Sequence, residues 1–386
     1  MRVIHFRNLV PASTSALPSQ PLTSTQSIGT PANRLRAVLR LFSVLLFAFS
    51  AIAGVAQHSD HTSKIDAVVV FGDSLSDTGN VAHLTQAKYG FRVPGPDADY
   101  TDGRFTDGAD TLPAAEKYFG VWIEQYAASL PSKPAVKDSL DGGTDYAYGF
   151  ATTGKGTGIF AFGPSNAYSV NVENIGQQIS DYLATKPKIT GKTLFVVWGG
   201  ANDLLQATSE SDIIDAGINQ AINIQTLIDA GATRFIIPNL PPLGLVPRLN
   251  GSPTTSVPAT QASALYNEIL SLAITVIRDF NHGKHLELAQ LDVFSLFNKI
   301  VASPSKYSLV NVTASSQGVP VDPDTYLFWD DLHPTTRGHN ILATTAAKLV
   351  DKLESHDDVT PAGKDLPDLK TDGSGEFATE PAGAVH

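Results

Sequence analysis

Apolar positions along this chain fall into two rhythms. Ile65 to Phe71, Thr193 to Trp198 and Arg234 to Pro238 are short, nearly continuous apolar runs rich in β-branched and aromatic residues, and they end in Gly72-Asp73-Ser74, Gly199-Gly200 and Asn239. Runs of that length and continuity suit strands buried on both faces. Between the second and third lies Ser211 to Ala230, with Ile214, Ile218, Ala221 and Ile228 on one stripe, Ser211-Asp212 as a cap and Gly231 as a stop. That spacing predicts a helix marked at both ends. Leu265, Ile269, Leu272, Val276 and Phe280 predict a second amphipathic helix, and Ile341, Leu342, Ala346, Leu349, Val350 and Leu353 a third. Strands joined by crossover helices imply an α/β fold, a three-layer αβα sandwich on a central parallel sheet, with its site at the carboxyl ends of the strands.

Lys64 to Glu354 shows no internal repeat and no dividing linker, so residues 64–354 are expected to form one domain. Residues 355–386 carry seven acidic against two basic residues without apolar periodicity, which predicts a disordered acidic tail. At the other end Arg2, Arg7, Arg34, Arg36 and Arg40 precede an apolar run from Leu41 to Ala53 and the small residues Gly54-Val55-Ala56. That order is the layout of a signal peptide over residues 1–56, with an unusually long basic region, and an uncleaved signal anchor is its rival. Either reading takes the domain out of the cytosol; cleavage would leave no stable membrane association.

Composition narrows the chemistry. The chain has 386 residues, a formal charge of −11 and no cysteine. A disulfide framework, a thiolate zinc site and a cysteine nucleophile are therefore excluded, and nucleic acid is an unfavourable partner for so acidic a surface. No His-Glu-x-x-His occurs, and His58 and His61 read as solvated residues, so no metal and no cofactor are expected. Gly154-Lys155-Gly156-Thr157-Gly158 lacks the spacing of a phosphate loop and reads as a flexible loop. Tyr100, Tyr118, Trp122 and Tyr126 could line a sugar cleft, but in a chain of this size they read as core or rim.

Three polar clusters fall at strand ends or a helix start: Gly72-Asp73-Ser74-Leu75-Ser76, Gly200-Ala201-Asn202-Asp203 and Asp330-Asp331-Leu332-His333. Alone, each is ordinary turn or cap chemistry. Together they supply a hydroxyl, an amide, and a carboxylate three residues before an imidazole. A serine needs a base to take its proton, and the base needs a carboxylate to fix its tautomer. Ser74, His333 and Asp330 fit those roles, and the Ser74 N–H, a neighbouring glycine N–H and the Asn202 amide are candidate donors to an oxyanion. An α/β-hydrolase would show Gly-x-Ser-x-Gly, whereas Ser76 stands two after Ser74.

Val68 to Asn80, Gly200 to Asp203 and Asp330 to Thr335 resemble the first, third and fifth sequence blocks of the GDSL/SGNH hydrolases. Asp102-Gly103-Arg104-Phe105, Asn239 to Gly244 and Phe328-Trp329-Asp330 extend the similarity across the folded region, nearest to secreted acetylesterases of carbohydrate esterase family sixteen and lipase-like or phospholipase-like relatives. The resemblance implies a flavodoxin-like sandwich, Ser74 as nucleophile, His333 as base, Asp330 as orienter, and oxyanion donors at Ser74, the second-block glycine and Asn202. Asp145 to Ala151 departs from that second block, with Asp145 for an Asn and Phe150 for a Gly; Gly149 is the chosen donor and Phe150 the runner-up. The expected activity is hydrolysis of acetyl or short-acyl esters on small molecules or polysaccharides, with a lipase-like acylhydrolase as alternative. A catalytically silent carbohydrate-binding or surface protein on the same fold is the rival of another class.

Overall fold

A strand that is apolar on both sides must be covered on both sides, and the helices of this chain do that. The computed structural model describes residues 64–101, 103–107 and 118–354. The expected targeting segment 1–56, the expected tail 355–386, His58, His61 and Asp102 lie outside the described residues. In chain order the elements are β1 (Ala67–Gly72), α1 (Asn80–Tyr89), α2 (Trp122–Ser129), β2 (Thr157–Phe162), β3 (Tyr168–Glu173), α3 (Ile175–Ala184), β4 (Thr193–Trp198) and α4 (Ala201–Gln206). They continue with α5 (Glu210–Asp229), β5 (Arg234–Pro238), α6 (Pro253–Phe280), β6 (Glu287–Leu291), α7 (Val293–Ala302), β7 (Asn311–Ser315), β8 (Tyr326–Phe328) and α8 (Thr336–Glu354).

β1, β4, β5 and β6 form a parallel sheet in the order β1-β4-β5-β6. Alternate side chains divide the core between the two faces, as the two-residue strand period requires. Val69, Phe71, Phe195 and Val197 pack with α3, α5 and α6, while Val68, Val70, Leu194, Val196 and Trp198 pack with α2, α7 and α8. These are the three layers of an α/β sandwich. A third, smaller cluster under the β2–β3 hairpin joins Val81 of α1 to Phe105, Tyr148, Phe160 and Phe162.

The free edge of β1 is also paired. Val70 N–H donates to the Thr144 carbonyl at 3.0 Å, Tyr146 N–H to the Val70 carbonyl at 2.8 Å, and Tyr148 N–H to the Gly72 carbonyl at 3.2 Å. With residues 144–148 counted as a strand, the sheet runs second, first, third, fourth, fifth in chain order, the flavodoxin-like arrangement. Its connections diverge between β1 and β4, and the crevice of such a sheet opens at the carboxyl ends of those two strands. Ser74 follows β1, and Asn202 follows β4.

Several sequence expectations need correction. The buried face of α6 is Leu265, Ile269, Leu270, Ala273, Ile274 and Ile277, whereas Leu272 and Phe280 are exposed. Ser211 does not cap α5: the Asp212 carboxylate turns back to accept the N–H groups of Thr208 and Ser209 at 2.8 and 2.9 Å. The segment 154–158 is not a free loop; Thr157 and Gly158 open β2, and the Gly154 and Gly156 carbonyls accept from Gly176 and Asn174. Tyr100, Trp122 and Tyr126 are core residues, and Tyr118 lies under the Arg337 guanidinium, 4.8 Å from its ring centre. Among the described residues no helix is long and apolar enough to cross a membrane.

Candidate active site

The turn after β1 begins where two strand ends come very close: a Cβ on Gly72 would lie 2.7 Å from the Trp198 carbonyl oxygen. Asp73 then accepts the Leu75 N–H on its side chain at 3.1 Å and the Ser76 and Asp77 N–H groups on its carbonyl, folding the turn that presents Ser74. Burial pushes the Asp73 carboxyl up to about 7, against the pull of the Leu75 N–H and of His333.

His333 reaches the serine from the last loop of the sheet. Its Nε2 lies 2.8 Å from Ser74 Oγ, and its Nδ1 lies 2.7 Å from Asp330 Oδ2. An ionised carboxylate only accepts, so the proton sits on Nδ1 and Nε2 faces the hydroxyl as an acceptor. Asp330 folds its own turn as well, Oδ1 accepting the N–H groups of Leu332 at 2.7 Å and His333 at 2.6 Å. Burial alone would raise the Asp330 carboxyl; His333 and these N–H donors outweigh it and hold the group at about 2. Ser74, Asn202 and His333 are only 7%, 7% and 8% exposed, so charge that develops among them is shielded from bulk water.

Asn202 stands in the first turn of α4, after Gly200 at φ 113°. Its Nδ2 gives one N–H to the Ala151 carbonyl at 3.0 Å, which leaves the second amide hydrogen for the crevice. Asp203 binds the same neighbouring loop, accepting from Thr153 N–H and Oγ1. Burial pushes the Asp203 carboxyl up to about 6.

Gly149, the expected second-block donor, has its N–H engaged elsewhere. Gly149 N–H donates to Asp77 Oδ2 at 2.8 Å and is committed to that carboxylate, which also collects the N–H groups of Gly79, Asn80 and Val81. Phe150 N–H has no hydrogen-bond partner among the described residues, and neither has Ser74 N–H. The substitution of Asp145 for an Asn is absorbed, because the site needs acceptors: Asp145 accepts from Thr78 N–H at 2.8 Å and Ala147 N–H at 2.9 Å. Asn80 Nδ2 ties the same stretch down through the Asp145 and Ala147 carbonyls.

Two contacts at the Asp330 loop carry no local sequence signal. The Tyr100 hydroxyl, from a buried side chain, donates to Asp330 Oδ2 at 2.8 Å. Arg248 holds Asp331 through Nε at 3.0 Å and Nη2 at 2.7 Å, and its own N–H donates to the Asp331 carbonyl at 2.8 Å, bracing the loop beside Asp330. On one side of Ser74 and His333 a small cavity is walled by Leu75, Leu243, Val246 and Leu332 and floored by the buried Phe297, Phe328 and Leu342.

The chain is similar to known proteins in sequence. The sequence model of the family described as GDSL-like Lipase/Acylhydrolase matches residues 68–345. An uncharacterized protein of the trpE-trpG intergenic region of Pseudomonas putida is 26% identical over 336 residues, covering 81% of this chain but only 53% of that relative. This chain therefore spans about half of that protein's length. GDSL esterase/lipase 7 of Arabidopsis thaliana is 25% identical over 331 residues, 75% of this chain and 90% of the relative. Among solved structures, a member of the lipolytic G-D-S-L family from Veillonella parvula DSM 2008 aligns with a TM-score of 0.39 at 11% identity, over 74% of this chain and 98% of that one.

Proposed function

Given that this chain belongs to the GDSL-like lipase/acylhydrolase family, we propose that it hydrolyses carboxylic esters through an acyl-enzyme, with Ser74 as nucleophile, His333 as base and Asp330 as orienter. The observation that carries the reading is the continuous pair of hydrogen bonds from Ser74 Oγ through both nitrogens of one imidazole to Asp330. Ser74 Oγ attacks the ester carbon as its proton passes to His333 Nε2, and Asp330 stabilises the imidazolium. The carbonyl oxygen becomes an oxyanion between the N–H groups of Ser74 and Phe150 and the free amide hydrogen of Asn202. Collapse of that intermediate breaks the bond to the alcohol, which leaves with the proton from Nε2. Water then gives a proton to His333 and attacks the acyl-enzyme, and collapse of that intermediate returns the proton to Ser74 Oγ and releases the acid. Four groups that cooperate in this sequence have no reason to converge in a silent binding protein.

The substrate in this reading is an acetyl or short-acyl ester of a carbohydrate, met outside the cell. The apolar cavity beside Ser74 takes the acyl group, and its floor on Phe297, Phe328 and Leu342 limits chain length. The basic and apolar layout of residues 1–56 supports export. A lipase-like preference for longer chains is the second reading, favoured by the mainly apolar lining of that cavity.

Purified protein is expected to cleave p-nitrophenyl acetate and Ser74→Ala to lose that turnover. Unchanged turnover in the variant would end the assignment. A nitrophenyl ester series from acetyl to palmitoyl, run beside acetylated xylo-oligosaccharides, separates the two substrate readings by where kcat/KM peaks.

A further inference from the structure

Phe150 occupies a backbone conformation that a bulky residue adopts only at a cost. Its φ is 73°, in the left-handed region, where a residue with a Cβ crowds its own carbonyl. A glycine would hold the same position without that cost. Burial repays it only in part, because Phe150 is 36% exposed, placing it among the large apolar side chains left open to solvent.

The position of the ring says what it could do. Hydrogen bonds bracket Phe150 on both sides: Gly149 is held by Asp77 from the loop of Ser74, and Ala151 by Asn202. From His333 a chain of aromatic contacts leads outward to it, first Phe105 at 5.1 Å between ring centres, then Phe160 at 6.1 Å, then Phe150 at 6.4 Å. No residue of this chain of rings lines the acyl cavity except His333 itself. The leaving alcohol must receive its proton from His333 Nε2, so it lies beside the imidazole from which this row of rings starts. Gly158 stands beside the ring, where a Cβ would make only ordinary van der Waals contact with Cδ1 at 4.0 Å.

We infer that the exposed Phe150 ring is the specificity-determining surface for the alcohol half of the ester, an aromatic platform against which the apolar face of a pyranose ring packs during acyl transfer. The inference rests on the esterase reading and deepens it. The backbone N–H of the same residue serves the oxyanion whatever the side chain is, whereas the ring serves only an alcohol large enough to cover it. A bulky alcohol gains from the platform and a two-carbon alcohol does not.

The test compares kcat/KM for acetylated xylobiose with kcat/KM for ethyl acetate in the wild type, Phe150→Gly and Phe150→Trp. Phe150→Gly is expected to lower the ratio of the two about five- to tenfold, the scale of one lost aromatic contact, mainly by raising KM for the sugar ester. Phe150→Trp is expected to keep the ratio within about twofold of wild type. Thermal unfolding of Phe150→Gly checks the strain independently, with a higher Tm expected. If the ratio in Phe150→Gly equals the wild-type ratio while both esters are turned over, the platform is refuted and the esterase reading stands. If wild-type protein cleaves neither ester nor p-nitrophenyl acetate, the underlying esterase reading has failed, and this inference falls with it.

Discussion

Oδ2 of Asp330 receives two donors, the Nδ1–H of His333 at 2.7 Å and the hydroxyl of Tyr100 at 2.8 Å. The shared oxygen makes Tyr100 part of what fixes the imidazole, since it limits rotation of the carboxylate that the ring follows. Burial and the Asp330 charge hold the phenol well above its ordinary range, so it remains a donor at any pH where the protein works. Tyr100→Phe removes one hydrogen bond to a buried charge, worth about 1.5–3 kcal/mol. Its kcat on p-nitrophenyl acetate is expected to fall about tenfold with KM little changed, and its Tm to drop by several degrees. A fall confined to Tm, with kcat intact, would reduce Tyr100 to a structural role.

Asp330→Asn is the sharper change. An amide in that position presents either an acceptor or a donor to Nδ1, so it no longer fixes the tautomer and cannot stabilise the imidazolium. A loss of about a thousandfold or more in kcat is expected, with the fold retained. The carboxyl also contributes to stability through its low folded value of about 2. Stability from a depressed carboxyl is present above its unfolded value of about 3.9 and is lost as pH falls through 2. Urea titrations between pH 2 and 5 are therefore expected to show a shallower acid decline for Asp330→Asn than for wild type; identical slopes would contradict the linkage.

How far the sequence carried this reading can be judged from particular residues. β1, β4 and β5 declare themselves because the sheet interior demands apolar residues on both faces. β6 reads Glu-Leu-Ala-Gln-Leu, with Glu287 and Gln290 partly exposed at the sheet edge, so its pattern resembles no buried strand. The strand-like stretch 144–148 is hidden because only its backbone is used, by Val70 and Gly72. Ser74, Asn202, Asp330 and His333 are visible as side-chain chemistry in short motifs. Which N–H near Gly149 is free depends instead on where the Asp77 carboxylate points, which no local pattern encodes. Tyr100 meets Asp330 across 230 residues of chain, and a lone tyrosine gives no hint of such a partner.

Asp73 offers a test of opposite sign from Asp330. Burial raises its carboxyl to about 7, so the folded state holds a proton that the unfolded chain releases near 3.9. The stability it contributes is full below that lower value and is lost as pH rises through 7. Asp73→Asn keeps an acceptor for the Leu75 N–H and removes the titration. The Tm of the variant minus that of wild type is expected to grow from pH 4 to pH 8, up to a bound of about 4 kcal/mol in stability. A difference that stays flat across this range would show that the carboxyl does not titrate there.

Gly200 sets the entry of Asn202 into the site and allows no side chain. It sits at φ 113°, and a Cβ built on it lies 2.6 Å from Tyr266 Cζ and 2.8 Å from the Tyr266 oxygen. That tyrosine is fully buried and donates to the Gly199 carbonyl at 2.8 Å, so it has no free path of retreat. Gly200→Ala must displace either the ring or the turn, and the turn carries the amide that faces the oxyanion. Backbone strain and overpacking together are expected to cost about 2–4 kcal/mol, and kcat is expected to fall about a hundredfold as Asn202 shifts. Tyr266→Ala in the same chain removes the obstacle and should recover part of kcat, although the new cavity lowers Tm further. If the double variant is no more active than Gly200→Ala alone, the tyrosine ring is not what confines position 200, and the loss lies in the backbone conformation itself.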